Sequence, residues 1–365
     1  MVATKGFENF KLVEKDDFVI SLRSFQGGIE YSKYRGIISP AYTVLSKSSK
    51  VFSGFFIYYL KSDEFLQRIN AVITGIREGK TIKYENFALL RLPLPPLETQ
   101  KQIAGFLDKE TSRIDALISR KQRQIELLQE KRQAIITQSV TKGLNPDVKM
   151  KDSGVEWIGE IPEHWGVDKI RHLTLVKRGA SPRPIDDPKY FDEEGKYSWV
   201  RIADVTASSK YLETTTQRLS KLGSSLSVKL VPGKLFLSIA GSVGKPILTK
   251  IDCCIHDGFV YFPYFKENNE FLYYIFRSSE LFSGLGKMGT QLNLNTDTVG
   301  DIKIPLPPRN EQEQIVKSLI SKIGTIDSIG QKIDTSINLL KEYRSSLITH
   351  AVSGQIDITQ YGVST

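Results

Sequence analysis

The 365-residue chain has no run of about 18 apolar residues, so it encodes no ordinary membrane-spanning helix. It begins Met1-Val2-Ala3-Thr4-Lys5 and stays polar, without the basic-then-apolar pattern of a secretory leader. Cysteine is almost missing. The only two, Cys253 and Cys254, are neighbours, which is poor geometry for a bridge, and a reduced, cytoplasmic setting is expected. The four histidines, His164, His172, His256 and His350, lack zinc-ligand spacing. Cys254 and His256 stand two apart on an expected strand with no third orienting group. A buried thiol beside a hydrogen-bonded imidazole is a better reading than a nucleophile and its base.

Loops that hold phosphates or cofactors are missing too. Gly284–Gly289 matches G-x-G-x-x-G, but it follows an expected helix, whereas a dinucleotide or S-adenosylmethionine fold needs it after a strand. Gly75–Thr81 ends in Gly-Lys-Thr with three residues between its glycines, one short of a P-loop. Both read as turns closing globular pieces. No Asn/Asp-Pro-Pro-aromatic loop, as a DNA-base methyltransferase would need, occurs. The sequence therefore predicts no catalytic site, no metal and no cofactor.

What is present is, first, positive charge. Fifty Lys and Arg against 41 Asp and Glu leave a net +9. Such a surplus favours polyanionic partners, because cations that neutralise phosphates release condensed counterions.

The second feature is a long repeat. Residues 92–103 read LPLPPLETQKQI and residues 304–315 read IPLPPRNEQEQI, 212 positions on. Leu107 then answers Leu319, Ile114-Asp115 answers Ile326-Asp327, Leu127-Leu128 answers Leu339-Leu340, and Ile136 answers Ile348. Each copy reads as one helix of about 45 residues, ending near Gly143 or Gly354. Apolar residues recur three or four apart, as in a coiled-coil seam, with Lys121 and Arg132 interrupting the first copy. Asn310 and Glu313 resemble a capping box. Neither helix is comfortable alone, so the two are expected to pair.

The repeat continues backwards. Phe18–Ser21 answers Leu235–Ser238, Ile38–Thr43 answers Ile255–Val260, and Phe56–Leu60 answers Phe271–Ile275. Residues 151 to about 229 have almost no earlier counterpart, so the first globular piece looks cut short. In the second, strands are expected at Tyr197–Ile202, Lys234–Ile239 and Phe259–Phe262, with a helix at Glu270–Phe282.

Asp152–Trp165, DSGVEWIGEIPEHW, resembles the opening motif of target-recognition domains in type I restriction–modification specificity subunits. The two PLPP-x3-Q-x-Q-I segments resemble the family's spacer helices, and both motifs stand in the expected order across the whole chain. The resemblance implies an α+β fold, with mixed α/β target-recognition domains joined by two long, paired, repeated coiled-coil helices. Its expected boundaries are a partial first recognition domain over 1–91, a spacer helix over 92–144, a complete second domain over 145–303, a second spacer over 304–356 and a tail over 357–365. It implies a non-catalytic subunit that binds bipartite double-stranded DNA sites. Two methyltransferase subunits would dock on the spacers, and two restriction–translocase subunits would complete the complex. The missing first copy of Gly-Glu-Ile-Pro-Glu-His-Trp departs from the family pattern. It leaves open an upstream start, a truncated allele, a separately encoded front half, or self-association. A non-DNA adaptor built on the coiled coil, and an inactive allele serving as a recombination reservoir, are the alternatives.

Candidate DNA contacts combine cations and amides with turn formers. Lys177, Arg178, Ser181 and Arg183 lie in one Gly/Pro-containing loop, and Trp199 and Arg201 sit at a strand end. Ser242 and Lys245 flank a Gly-rich turn suited to a phosphate, and Thr290, Gln291 and Asn293 offer groups suited to adenine edges. Arg23 and Gln26 hold the matching place in the first piece. Exposed cations are more often plain surface, and a strand Trp more often core.

Overall fold

Short β-forming runs between turn residues begin the chain: β1 (Lys11–Val13), β2 (Phe18–Ile20), β3 (Ile29–Tyr31), β4 (Gly36–Ile38) and β5 (Thr43–Leu45). The helices α1 (Ser53–Tyr59), α2 (Asp63–Val72), α3 (Tyr84–Ala88) and the 46-residue α4 (Leu97–Lys142) follow. The computed structural model describes residues 9–20, 28–72, 84–278, 280–282 and 294–358. They fall into two units, Met1–Ile125 with Gln331–Thr365, and Glu126–Gly330.

In the first unit β1 pairs antiparallel with β4, and β2 lies between β3 and β5. The core gathers Phe18, Ile20 and Ile29 from the strands with Phe55, Phe56, Tyr59, Phe65 and Ile69 from α1 and α2. Ile103, Phe106, Leu107 and Ile114 of α4 close it, together with Leu347, Ile348, Ala351 and Val352 of the last helix.

The second unit adds β6 (Met150–Asp152), β7 (Glu160–Pro162), β8 (Gly166–Lys169), α5 (Ile170–Leu173), β9 (Lys177–Arg178) and β10 (Tyr197–Val200). Next come α6 (Ile202–Ala207), β11 (Tyr211–Leu212), β12 (Gln217–Leu219), α7 (Lys221–Ser225) and β13 (Val228–Leu230). The unit continues with β14 (Leu235–Ser238), β15 (Pro246–Thr249), β16 (Cys253–Ile255), β17 (Phe259–Tyr261), α8 (Asn269–Phe276), α9 (Thr296–Asp301) and β18 (Lys303–Leu306). The 44-residue α10 (Arg309–Val352) begins here and ends in the first unit. Two sheets form, in the orders β11-β15-β14-β17-β9 and β12-β10-β16-β13, while β8 pairs with β18.

The repeat holds at the level of topology. β13 pairs with β16 as β1 pairs with β4, and β14 lies between β15 and β17 as β2 lies between β3 and β5. The second unit enlarges this plan: β9 adds to β17, β11 to β15, and β10 with β12 to β16. Predicted strands stand near their expected places, although Ile202 opens a helix instead of ending a strand. The helix expected over Glu270–Phe282 ends at Phe276. Apolar on every side, its residues 271–276 are all buried, as such a helix requires.

Both long helices start at a Pro-Pro pair and end before a glycine in the left-handed region, Gly143 and Gly354, each at φ 73°. The expected capping box is absent. Pro308 instead accepts from the backbone amides of Glu311 and Gln312, which places Asn310 inside the first turn, and Glu313 pairs with Arg309 at 3.7 Å.

Gln312 explains where the helix starts. Its side chain is 1% exposed; Oε1 accepts from the Asn268 amide at 3.1 Å, and Nε2 donates to Pro307 O at 3.0 Å and Glu267 Oε2 at 2.9 Å. Gln100, its repeat counterpart, is 0% exposed and does the same. Oε1 accepts from the Phe52 amide at 2.8 Å, and Nε2 donates to Pro95 O at 2.8 Å and Lys50 O at 2.9 Å. Asn268 and Phe52 are the N-caps of α8 and α1. A buried amide therefore ties each spacer start to the equivalent helix of its globular unit, satisfying groups that burial would otherwise orphan.

Within each unit the long helices run antiparallel and carry ion pairs. Arg132 meets Asp327 at 3.3 Å in the second unit, and Arg344 meets Asp115 at 2.9 Å in the first. Arg132, which interrupts the apolar seam in sequence, reaches across to the other helix.

Candidate nucleic-acid interface

The motif DSGVEWIGEIPEHW has a structural role first. β6 and β7 form its hairpin, and Ile158, Ile161 and Trp165 join a core that includes Ile136 and Val140 of α4. Trp165 donates to Glu311 Oε2 at 3.0 Å, His164 bonds Glu311 Oε1 at 2.8 Å, and the Trp165 ring covers Gly143. The motif thus seals the end of one spacer against the first turn of the other.

Beyond it, β9 forms the outer edge of the five-stranded sheet and presents Lys177 and Arg178 to solvent. Neither makes an ion pair among the described residues. The chain then crosses the β16–β17 turn so closely that a Cβ on Gly179 would lie 2.2 Å from His256 O, and only glycine fits. Asp257 on that turn anchors the loop: its carboxylate accepts from Ser181 Oγ at 2.8 Å and Arg183 Nη2 at 2.9 Å. The Ser181 hydrogen bond, with Arg183 and His256 nearby, holds the Asp257 carboxyl below its usual range. Arg183 keeps 70% of its side chain exposed. The loop is thus a positioned cationic strand end, with one guanidinium both oriented and accessible.

Arg201 precedes α6, where Asp204 accepts from its backbone amide at 2.8 Å. Its guanidinium bonds Thr216 and lies 3.8 Å from Asp204. The side chain is 42% exposed, so part of it faces solvent.

Two of the expected contacts have partners within the unit. Trp199 is 3% exposed and packs with Leu219 and Cys254, because it lies on β10 between β12 and β16, so no ring face is open to a base. Lys245 donates to Thr206 O at 3.0 Å and Ser208 O at 2.7 Å, closing the carbonyl end of α6. Burial and Arg277 both push its amine below the ordinary lysine value. Ser242 bonds Thr206 Oγ1 at 2.8 Å, so the whole Gly-rich turn braces α6. Thr290, Gln291, Asn293, Arg23 and Gln26 lie outside the described residues, as do the Gly284–Gly289 and Gly75–Thr81 segments.

The loop anchor Asp257 escaped sequence reasoning, since an isolated Asp after a His carries no signal of its own. So did a cleft of about 370 Å³ lined by Arg132, Lys210, Lys245, Arg277 and Asp327, among others. Lys210 lies 4.8 to 5.6 Å from the ring centroids of Tyr211, Tyr273 and Tyr274 and pairs with Glu270 at 3.2 Å. Its four cations come from distant parts of the sequence, which is why no motif announces them.

The sulfur chemistry is inert. Cys253 and Cys254 are 0% exposed, and burial pushes their thiols up to about 12 and about 11. At neutral pH neither supplies thiolate. His256 accepts the Gly258 amide at Nδ1, 2.8 Å, and burial lowers its pKa. No group of three or more potential metal-ligating side chains occurs among the described residues.

Comparison with known proteins places these features in context. The MjaVIII type I restriction enzyme specificity subunit of Methanocaldococcus jannaschii is 25% identical over 366 aligned positions, covering 95% of this chain and 80% of that protein. The EcoKI specificity subunit of Escherichia coli K12 is 24% identical, covering 86% of this chain and 68% of its own length. Among solved structures, one from a study of assembly and conformational transition in a type I R-M system superposes with a TM-score of 0.77 at 17% identity, covering 94% and 83% of the two chains. The HsdS subunit of Thermoanaerobacter tengcongensis superposes at 0.57, also at 17% identity, covering 94% and 82%. These two likenesses establish the fold. The family model for the type I restriction modification DNA specificity domain matches residues 2–127 and 162–338, and the chain belongs to that family.

Proposed function

We infer that this chain is the DNA-recognition subunit of a type I restriction–modification complex, directing methylation and cleavage by partner subunits. The observation that carries the reading is the family match over both units, joined to an internal repeat that places the same Gln clamp in each. In this reading the chain chooses the sequence and performs no chemistry itself. Its setting is the cytoplasm, and it consists of a partial first recognition domain, a complete second one and two spacer helices.

Lys177 and Arg178 supply phosphate contacts, which position the protein, while Ser181, Arg183 and Arg201 reach base edges. Two methyltransferase subunits dock on the spacers. Leu127 and Leu339, counterparts in the repeat and 47% and 60% exposed, support equivalent docking patches. Two restriction–translocase subunits join them in the full complex. Binding of the purified chain with its methylating partner to duplex DNA, measured against salt, tests this. The expected result is affinity falling steeply as salt rises, with preference for one sequence; salt-independent or absent binding overturns it.

A further inference from the structure

The cleft of about 370 Å³ in the second unit carries more positive charge than its own carboxylates balance. Arg132, Lys210, Lys245 and Arg277 line it. Asp327 is engaged by Arg132 at 3.3 Å, and the neighbouring Glu270 by Lys210 at 3.2 Å. Lys245 donates to two backbone carbonyls, and Arg277 stands close enough to depress its amine. The Arg277 guanidinium makes no hydrogen bond or ion pair among the described residues. Arg132 Nε is buried without a hydrogen-bond partner. Buried donors and surplus cations are costly unless an anion meets them.

The internal repeat shows what fills the equivalent place in the first unit. Tyr58, counterpart of Tyr273, donates to Asp108 Oδ1 at 2.7 Å and lies 3.1 Å from Thr111 Oγ1. The counterparts of Asp108 and Thr111 are Ile320 and Ile323, both of which line the cleft. Ser62 stands where the second unit has Arg277. The first unit thus supplies its own carboxylate beside the tyrosine, whereas the second removes that carboxylate and adds a guanidinium. Residues 283–293, next along the chain from α8 and its following turn, contain no Asp or Glu to replace it.

We propose that this cleft binds the phosphate group of a small molecule, in the place that Asp108 takes in the first unit. Arg277 and Arg132 Nε donate charge-assisted hydrogen bonds to its oxygens, and the Tyr273 hydroxyl donates as Tyr58 does to Asp108. The two cations in excess of Asp327 and Glu270 match a phosphate monoester, which carries close to two negative charges at neutral pH. A nucleic-acid backbone phosphate carries only one. Gly324 also lines the cleft, and a Cβ there would meet nothing within 4 Å, which leaves room for the rest of the molecule. The inference is independent of DNA recognition and uses none of Lys177, Arg178, Arg183 or Arg201.

The probe is inorganic phosphate, titrated calorimetrically into the full chain at constant ionic strength. Saturable binding of one phosphate per chain is expected. Ile320→Asp, at a position 47% exposed, restores the first unit's carboxylate; it should weaken phosphate binding about tenfold and raise the thermal midpoint measured without phosphate. Ile320→Asn, which has the same shape without the charge, should bind within about threefold of the original chain, and Arg277→Gln should lose about tenfold. A blunt duplex without terminal phosphates should leave the phosphate titration unchanged; displacement by it overturns the small-molecule assignment in favour of a nucleic-acid backbone. Absence of saturable binding up to about 10 mM phosphate overturns the proposal, as does undiminished affinity in the Ile320→Asp chain.

Discussion

Arg344 grips Asp115 through two nitrogen–oxygen contacts, 2.9 and 3.3 Å, and the residues 212 positions removed from each, Arg132 and Asp327, form the same pair with the helices exchanged. Each spacer therefore donates an arginine in one unit and an aspartate in the other. Such reciprocity follows from the 212-residue repeat of the two helices, each unit holding the late part of one beside the early part of the other.

These pairs are half exposed, so each contributes on the order of 0.2–1 kcal/mol. Reversing Arg344 to Glu is expected to lower stability by about 1 kcal/mol, and adding Asp115→Arg to recover most of it. A double-mutant cycle by urea denaturation reads the coupling. A coupling energy indistinguishable from zero would show the pairing to be incidental.

The glutamine clamps should matter more. Gln312→Leu leaves the Asn268 amide and the Pro307 carbonyl without their partner, at a cost of roughly 1–3 kcal/mol. Gln100→Leu should do the same through Phe52 and Pro95. Thermal melts of the two variants check this, and a loss below a few tenths of a kcal/mol in both would remove the clamp from the account.

Much of this was legible in the sequence, and the reasons differ by element. The long helices were, because 3.6-residue periodicity is local and the 212-residue repeat doubled the signal. The repeat also forecast that Ile38–Thr43 and Ile255–Val260 match, and β4 and β16 now occupy equivalent sheet positions. The Gln of PLPP-x3-Q was visible as a motif, but two of its three hydrogen bonds depend on a helix N-terminus about 45 residues away. Strand pairing was hidden because strands of two to four residues carry little pattern, and edge or centre position is decided by distant chain. Trp199 and Lys245 show the same limit at the site. Residue type suggested stacking and phosphate binding, whereas burial between strands and two carbonyl partners give them structural roles.

His256 introduces a pH dependence. Burial lowers its folded-state pKa below the ordinary 6.5, so the unfolded chain binds a proton more readily. The contribution is therefore present above about pH 6.5 and is lost as pH falls from there through the folded-state value. Protonation would also take Nδ1 away from the Gly258 amide. Urea midpoints should fall between pH 7 and the onset of carboxylate titration, and His256→Gln should flatten that slope. A variant with the wild-type slope would assign the effect elsewhere.

Phosphate contacts separate from base contacts by their salt dependence. Lys177→Ala and Arg178→Ala should each weaken binding to all duplexes alike and reduce the log–log salt slope by about 1. Lys245→Ala, by contrast, should lower stability and leave that slope unchanged. Titrations at several ionic strengths decide it. An unaltered slope in both edge-strand variants would place the DNA elsewhere.

The most direct test is a map of methylated positions in cells that hold the partner subunits, with this chain absent, present, or carrying Arg183→Ala. The account predicts one modified sequence that appears only with the chain and changes or broadens at a defined position with the variant. Identical maps with and without the chain would contradict it.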